Sequence, residues 1–261
     1  MSEAETPALV VREVAFRWPR GGFALHVPEL TVAPRERVFL HGRSGSGKST
    51  LLNLIAGTLL PQAGFMEIDG VAMTGLRASA RDRLRADRIG VLFQQFNLLP
   101  FLTPAENVLL PCWFSVQRRQ RAIARFGTAE HAAESLLERL GLGDARLRAT
   151  RASSLSVGQQ QRVAAARAVI GGPGLVIADE PTSALDADAR EAFLRLLFAE
   201  CRAAGASLLF VSHDQSLARL FEAALPEGTV TLCPLGPLTN IGTALTKAPE
   251  IASRIRRIVL M

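Results

Sequence analysis

The stretch that most constrains this chain is Gly42-Arg43-Ser44-Gly45-Ser46-Gly47-Lys48-Ser49-Thr50, which satisfies G-x-x-x-x-G-K-[ST]. It follows the apolar run Val38-Phe39-Leu40 and opens into Leu51, Leu52, Leu54 and Ile55 at helical spacing. Strand, loop and helix therefore come in the order that a phosphate cradle requires. Glycines let the backbone wrap an anion with successive N–H groups pointing inward, and the positive end of the next helix adds to them. Lys48 can meet the outer phosphates as a point charge, and the Ser49 hydroxyl can ligate Mg²⁺. A glycine-rich turn before an ordinary helix is the plainer alternative; the pattern predicts nucleotide binding.

Composition narrows the partners. The chain has 261 residues and a formal charge of +6, from 30 basic and 24 acidic groups. Arginine supplies nearly all of the positive charge, Lys48 and Lys247 being the lysines. No basic patch interleaved with aromatics is present, so arginine-rich coding accounts for the balance and no nucleic-acid partner is expected. Cys112, Cys201 and Cys233 are odd in number and form no C-x-x-C pair, which argues against a disulfide framework or zinc site and for a reducing compartment. The segment Met1 to Pro7 lacks the apolar core of a secretory signal. No apolar run approaches the roughly 20 residues needed to span a bilayer, so any membrane role is expected to be peripheral.

The chain reads as an α/β protein. Leu9 to Phe16, Phe23 to Val27, Arg37 to His41 and Phe65 to Asp69 have the texture of strands, forming an antiparallel layer around a parallel core. Arg77 to Asp87 is expected to be a solvated helix, followed by a buried strand at Ile89 to Phe93. Thr103-Pro104 with Glu106 is a capping box with proline at the first helical position. Arg118, Arg119, Arg121 and Arg125 read as a solvated basic face, with a lipid-headgroup contact as the alternative. Thr128 to Leu140 is amphipathic and stops at Gly141. Residues from about 97 to about 157 thus form a helical insertion. The core resumes at Leu175 to Ala178, then a helix at Ala187 to Ala204 ended by Gly205, then a strand at Ser207 to Val211; this alternation predicts a parallel sheet with flanking helices.

A second chemical element is Leu175-Val176-Ile177-Ala178-Asp179-Glu180, an apolar strand that delivers two carboxylates at its carboxyl end, where open α/β sheets bind ligands. Asp179 can hold Mg²⁺ directly or through water, and Glu180 can orient and deprotonate an attacking water. The two acids could instead cap the next helix. Between the two elements comes Leu155-Ser156-Val157-Gly158-Gln159-Gln160-Gln161-Arg162, leading into an alanine-rich helix. A helix beginning near Gly158 behind a serine hydroxyl is a second anion site.

In these residues the chain resembles the ATP-binding-cassette (ABC) ATPases, P-loop NTPases whose signature loop reads L-S-G-G-Q. The resemblance runs from about Val10 to about Phe221. It implies Gln94 as the glutamine of the Q-loop, also at the Mg²⁺ ion, Ser183-Ala184-Leu185-Asp186 as the D-loop, and His213 as the switch histidine. It implies a head-to-tail dimer, in which Ser156, Gly158 and Gln159 of one protomer touch the γ-phosphate held by Gly42 to Thr50 of the other. It also implies an aromatic face for adenine, a place that Trp18 fits, although a plain packed aromatic is the alternative. The cofactors are then ATP and Mg²⁺, and Lys48, Gln94, Glu180 and His213 are the candidate catalytic residues. Val157 departs from the family's glycine; its side chain is expected to point away, so Val157→Gly should change the ATPase rate little.

Phe93 to Pro100, with Leu102-Thr103 and Glu106-Asn107-Val108, resembles the branch that drives lipoprotein release and macrolide export, with a separate permease polypeptide. This implies an ATPase on the cytoplasmic face of the membrane, working with an ABC permease and a second ATP-binding subunit, most simply a copy of itself. Phe96, Leu98, Leu99 and Phe101 are expected to form an exposed socket for the permease or, alternatively, to pack the insertion. A soluble ABC ATPase acting on ribosome or DNA is the second class, one that usually carries two cassettes or a long coiled coil.

The last stretch differs. Thr229 to Cys233, Pro234-Leu235-Gly236-Pro237-Leu238-Thr239-Asn240 and Pro249 to Met261 resemble an internal piece of the inosine-uridine nucleoside hydrolases. The division expected is a cassette at 1–222 and a nucleoside-hydrolase-like fragment at 223–261. The family's aspartate cluster has no counterpart here, and the Leu235 carbonyl alone is far short of the about six to eight oxygens that Ca²⁺ takes, so no glycosidase activity is expected. Thr229 to Cys233 could add a strand to the cassette sheet, whereas Ile255 to Met261 has no evident partner. Deletion after Phe221 is expected to spare ATP binding unless the tail is structurally integrated.

Overall fold

The computed structural model describes residues 5–19, 23–42, 45–214, 217, 230–235 and 255–258. The chain divides into two compact units, Met1–Arg81 with Ser207–Met261, and Asp82–Ala206.

In the first unit, β1 (Leu9–Arg17), β2 (Ala24–Val32), β4 (Ala63–Ile68) and β5 (Val71–Ala72) make an antiparallel sheet in the order β2-β1-β4-β5. Leu9, Val11, Val14, Val27, Leu30 and Ile68 are fully buried in it. The strand expected at Phe23 to Val27 runs on to Val32, with Arg12 opposite Glu29 and Leu9 opposite Val32. Pairing with β1 carries it through Pro28 and Glu29, which propensity alone would have made a turn.

The parallel part of this unit centres on β3 (Arg37–Gly42), which pairs with β8 (Ser207–Ser212) through Val38 opposite Leu209 and His41 opposite Ser212. Val38, Phe39 and Leu40 are buried, as is every residue of β8, the continuous apolar texture of strands covered on both faces. The other edge of β3 is occupied by β9 (Val230–Leu235), also parallel, with Arg37 opposite Val230 and Gly42 opposite Leu235. In turn β10 (Ile255–Ile258) pairs in parallel with β9. The possible added strand at Thr229 to Cys233 thus exists, shifted to Val230–Leu235, and the C-terminal strand has a partner that the sequence reading did not find. Backbone pairing, which residue type barely specifies, made the difference.

The division between units falls within α2 (Ala78–Arg88). The second unit contains β6 (Ile89–Leu92) and β7 (Leu175–Asp179), paired in parallel with Ile89 opposite Leu175, and the helices α3 (Pro104–Phe114), α4 (Val116–Phe126), α5 (Ala129–Arg139), α6 (Ala145–Ala149), α7 (Val157–Val169) and α8 (Ala187–Ala204). Side-chain caps start these helices: Thr103 in a reciprocal box with Glu106, Ser115 for α4, Thr128 for α5, Asp144 for α6, Ser156 for α7 and Asp186 for α8. Gly205, at φ +68, ends α8 as expected. The alanines of α7 let β6 approach so closely that a Cβ on Gly90 would stand 2.1 Å from the Ala168 carbonyl oxygen.

One expectation about α4 fails. Arg119 and Arg125 are exposed, but Arg118 is 2 % exposed and Arg121 is half-buried, donating to the Asp87 carbonyl. The Arg118 guanidinium donates to the carbonyls of Ile170, Ala168 and Ile89 at 2.8, 2.8 and 3.3 Å. The last carbonyls of α7 lack intrahelical donors, and a cation at that end of the helix supplies them. Burial lowers the Arg118 pKa to about 10.

Removing residues 223–261 would strip β9 from β3 and leave the edge of the strand that feeds the glycine loop open. The expected outcome is a thermal midpoint lower by about 5 °C or more, or insoluble protein, read by scanning fluorimetry and soluble yield against the full chain.

Candidate functional site

The first unit holds the phosphate loop, Trp18 and His213. Arg43 and Ser44 lie outside the described residues. Gly45 and Gly47 take φ +81 and +94, a region that side-chain-bearing residues rarely adopt, and α1 (Lys48–Ile55) starts directly from Gly47. A Cβ on Gly47 would also meet the Phe23 ring at 2.4 Å, so that aromatic lies against the loop. Lys48 is buried and its ammonium donates to the Gly42 carbonyl, holding it inside the loop. The Ser46 hydroxyl is buried and makes no hydrogen bond, an arrangement that a bound phosphate oxygen would satisfy. Ser49 is exposed and Thr50 half-buried at the start of α1. These donors suit a polyphosphate. Trp18 follows β1, 43 % exposed, with its ring perpendicular to that of Phe16 at 5.2 Å.

The second unit holds the glutamine turn, the two carboxylates and the signature helix. Gln94 is exposed in a turn after β6, and the turn's exit, Phe96-Asn97, has φ +58 and +48. Arg167 of α7 donates to the carbonyls of both, at 2.7 Å for Asn97. The next residues are pinned by the fully buried Asn107, which accepts from the Leu99 N–H at 2.8 Å and donates to the Leu99 and Thr103 carbonyls at 3.1 Å each. Phe96 is 7 % exposed, so it packs inside, while Phe101 at 64 % and Leu99 at 37 % stay at the surface. The expected apolar socket therefore loses Phe96, which the turn folds inward.

Ser156 caps α7: its hydroxyl accepts from the Gln159 N–H at 3.3 Å and the Gln159 side chain accepts from the Ser156 N–H at 2.8 Å. The helix starts one residue earlier than Gly158, at Val157, which is 49 % exposed. Its N–H groups and the Ser156 hydroxyl make an open helix terminus suited to an anion. Within α7, the fully buried Gln161 donates to the Pro181 carbonyl at 2.5 Å, tying the signature helix to the residue after Glu180. Asp179 and Glu180 are both half-buried at the end of β7. Glu180 has φ +46, a backbone state costing on the order of 1 kcal/mol or more for a residue with a side chain. Asp186 accepts from the Ala189 N–H at 2.8 Å as the cap of α8.

The model of the family described as ABC transporter matches residues 25–183. The chain belongs to this family. A lipoprotein-releasing system ATP-binding protein, LolD, of Anaeromyxobacter dehalogenans is 44 % identical over 194 residues, 74 % of this chain and 78 % of that one. A macrolide export ATP-binding/permease protein, MacB, of Burkholderia pseudomallei is 39 % identical over 220 residues, 81 % of this chain and 31 % of that one. Its name joins ATP-binding and permease functions in one protein, a departure from the separate polypeptide expected of this branch. A dimeric post-hydrolysis structure of the ATP-binding cassette MJ0796 bound to ADP and Pi aligns with TM-score 0.66 and 33 % identity, covering 81 % of this chain and 90 % of that one. The protein is an ABC-type ATPase with an ATP-binding cassette fold. Residues 127–261 match a second family model, Inosine-uridine preferring nucleoside hydrolase, so one sequence carries both families. That match begins well before the tail motifs, in stretches that also form α7, β7 and α8.

Sequence reasoning missed Arg167, Gln161, Asn107 and Phe23. Arg167 and Gln161 reach carbonyls in other elements, Asn107 pins the nearby Leu99 and Thr103 backbone, and Phe23 lies against the loop. A polar residue amid the alanines of α7 was the available signal for Arg167, whereas Gln161 sits in the polar run Gln159-Gln160-Gln161-Arg162 and carried no such contrast. Arg167→Ala should cost the cassette about 1 to 2 kcal/mol in urea unfolding, through loss of two charge-assisted bonds. Arg167→Lys should recover only part of this, because an ammonium lacks the planar fork.

Proposed function

We propose that this chain is the nucleotide-binding subunit of an ABC exporter, an ATPase bound peripherally to the cytoplasmic face of the membrane. It works as a dimer with a second ATP-binding subunit, most simply its own copy, and drives a permease. The observation that carries the reading is the Ser156-capped start of α7, in a chain that also carries the glycine-to-helix junction at Gly47 and is 44 % identical to LolD. No described helix is long and apolar enough to cross a membrane, so the translocation path would belong to the partner.

In this reading Gly42 to Thr50 hold the triphosphate through backbone N–H groups, with Lys48 at the outer phosphates and Trp18 under the adenine. Bound Mg²⁺ would neutralise charge on the transferred phosphoryl oxygens. Ser49, Asp179 and Gln94 are the residues that would hold it, all oxygen donors as that ion requires. Glu180 orients the attacking water and takes its proton, and His213 meets the γ-phosphate. Ser156, Gly158 and Gln159 complete the pocket of the opposite protomer, and Asp186 lies at the same junction. ATP bridging the two cassettes favours the closed dimer, and loss of the γ-phosphate reopens it, a population shift set by differential contacts.

We assign 1–222 to the cassette and 223–261 to a fragment whose contribution is structural. Its strand β9 lies along β3, which supports this reading.

Glu180→Gln should abolish turnover and trap an ATP-bound dimer, detected by size-exclusion chromatography with light scattering. A variant that stays monomeric at saturating nucleotide overturns the sandwich. Affinity capture from solubilised membranes should recover a permease; ribosomes or DNA without a permease would overturn the exporter role.

A further inference from the structure

His41 immediately precedes the phosphate loop, and no motif accounts for a histidine there. Its ring extends a stack on the inner residues of the sheet. Phe39 and Phe210, both buried, lie 5.9 Å apart with planes 16° from parallel, and the His41 ring follows Phe39 at 6.4 Å and 14°. In this position the His41 Nε2 faces the His213 carbonyl oxygen, 3.2 Å away. A carbonyl oxygen only accepts, so the His41 Nε2–H donates this hydrogen bond.

The contact falls where regular pairing stops. The register of β3 with β8 ends at His41 opposite Ser212, one residue before His213. The far side of the same turn is held by the buried Ser212, whose hydroxyl accepts from the Asp214 N–H at 3.1 Å. The main chain at His213 is thus fixed on both flanks, while the residue itself is exposed.

We propose that His41 is a positioning residue for hydrolysis: through its hydrogen bond it sets the His213 main chain relative to the phosphate loop that His41 itself enters. This rests on the reading of His213 as the group that meets the γ-phosphate. A side chain delivered to a reacting group needs its support held to within a fraction of an ångström, and outer hydrogen bonds provide this. Loss of the donor should therefore slow turnover without weakening ATP binding, because the cradle's own N–H groups and Lys48 remain.

The test is steady-state ATPase kinetics and equilibrium nucleotide binding on the full chain. His41→Phe keeps the stack and removes the donor; His41→Leu removes both, as a second donorless variant; His41→Gln returns an N–H at similar reach. We expect kcat to fall about fivefold in His41→Phe and His41→Leu, the effect of one hydrogen bond, with KM and ATP affinity within about twofold. His41→Gln should recover most of the rate. Unchanged kcat in the donorless variants, an equal loss in His41→Gln, or a matching loss of ATP affinity overturns the proposal. His213→Ala separates the two readings. Full activity in that variant would remove the role of His213 itself, whereas an inactive His213→Ala beside a fully active His41→Phe removes only the role of His41.

Discussion

In the first unit the proposed phosphate site sets one electrostatic requirement, that several backbone N–H groups converge on a multiply charged anion. Side chains with Cβ atoms obstruct such a curl, so the loop must run through glycines in left-handed backbone, and Gly45 and Gly47 do so. A loop of that kind has little stability of its own. Its geometry is inherited from β3, buried and paired along both edges, and from α1, which begins at Gly47. The Lys48 ammonium donates to the Gly42 carbonyl, which ties the start of α1 to the end of β3.

In the second unit the corresponding organiser is α7. Its N-terminus is a reciprocal cap between Ser156 and Gln159, its body reaches the segment after Glu180 through Gln161 and the glutamine turn through Arg167, and its C-terminal carbonyls are received by Arg118. Three elements that the chemistry treats as separate are thereby hydrogen-bonded to one rigid rod. Any rotation of α7 carries the glutamine turn with it or breaks charge-assisted bonds worth more than ordinary ones.

The C-terminal stretch shows how a segment matched by a second family model is paired into a sheet. Its motifs belong with nucleoside hydrolases, yet β9 lies along β3 as a parallel neighbour, with β10 outside it. Backbone hydrogen bonding asks little of residue identity, so the open edge of a strand accepts another extended segment.

Short-range structure was legible without coordinates. The phosphate loop, the two acids at the end of β7, the Thr103 box, the span of α8 and its stop at Gly205 all follow from residue types at fixed spacing, because each depends on neighbours within a turn or two of chain. The tertiary structure decided what depends on distant partners. It buried Arg118 beneath the end of α7, folded Phe96 inward, gave the C-terminal strand its partner, and turned His41 toward the carbonyl of His213, 172 positions along the chain. A carbonyl oxygen has no signature in sequence, since every residue carries one. Which of them is left needing a donor is known only once the strands and helices have ended.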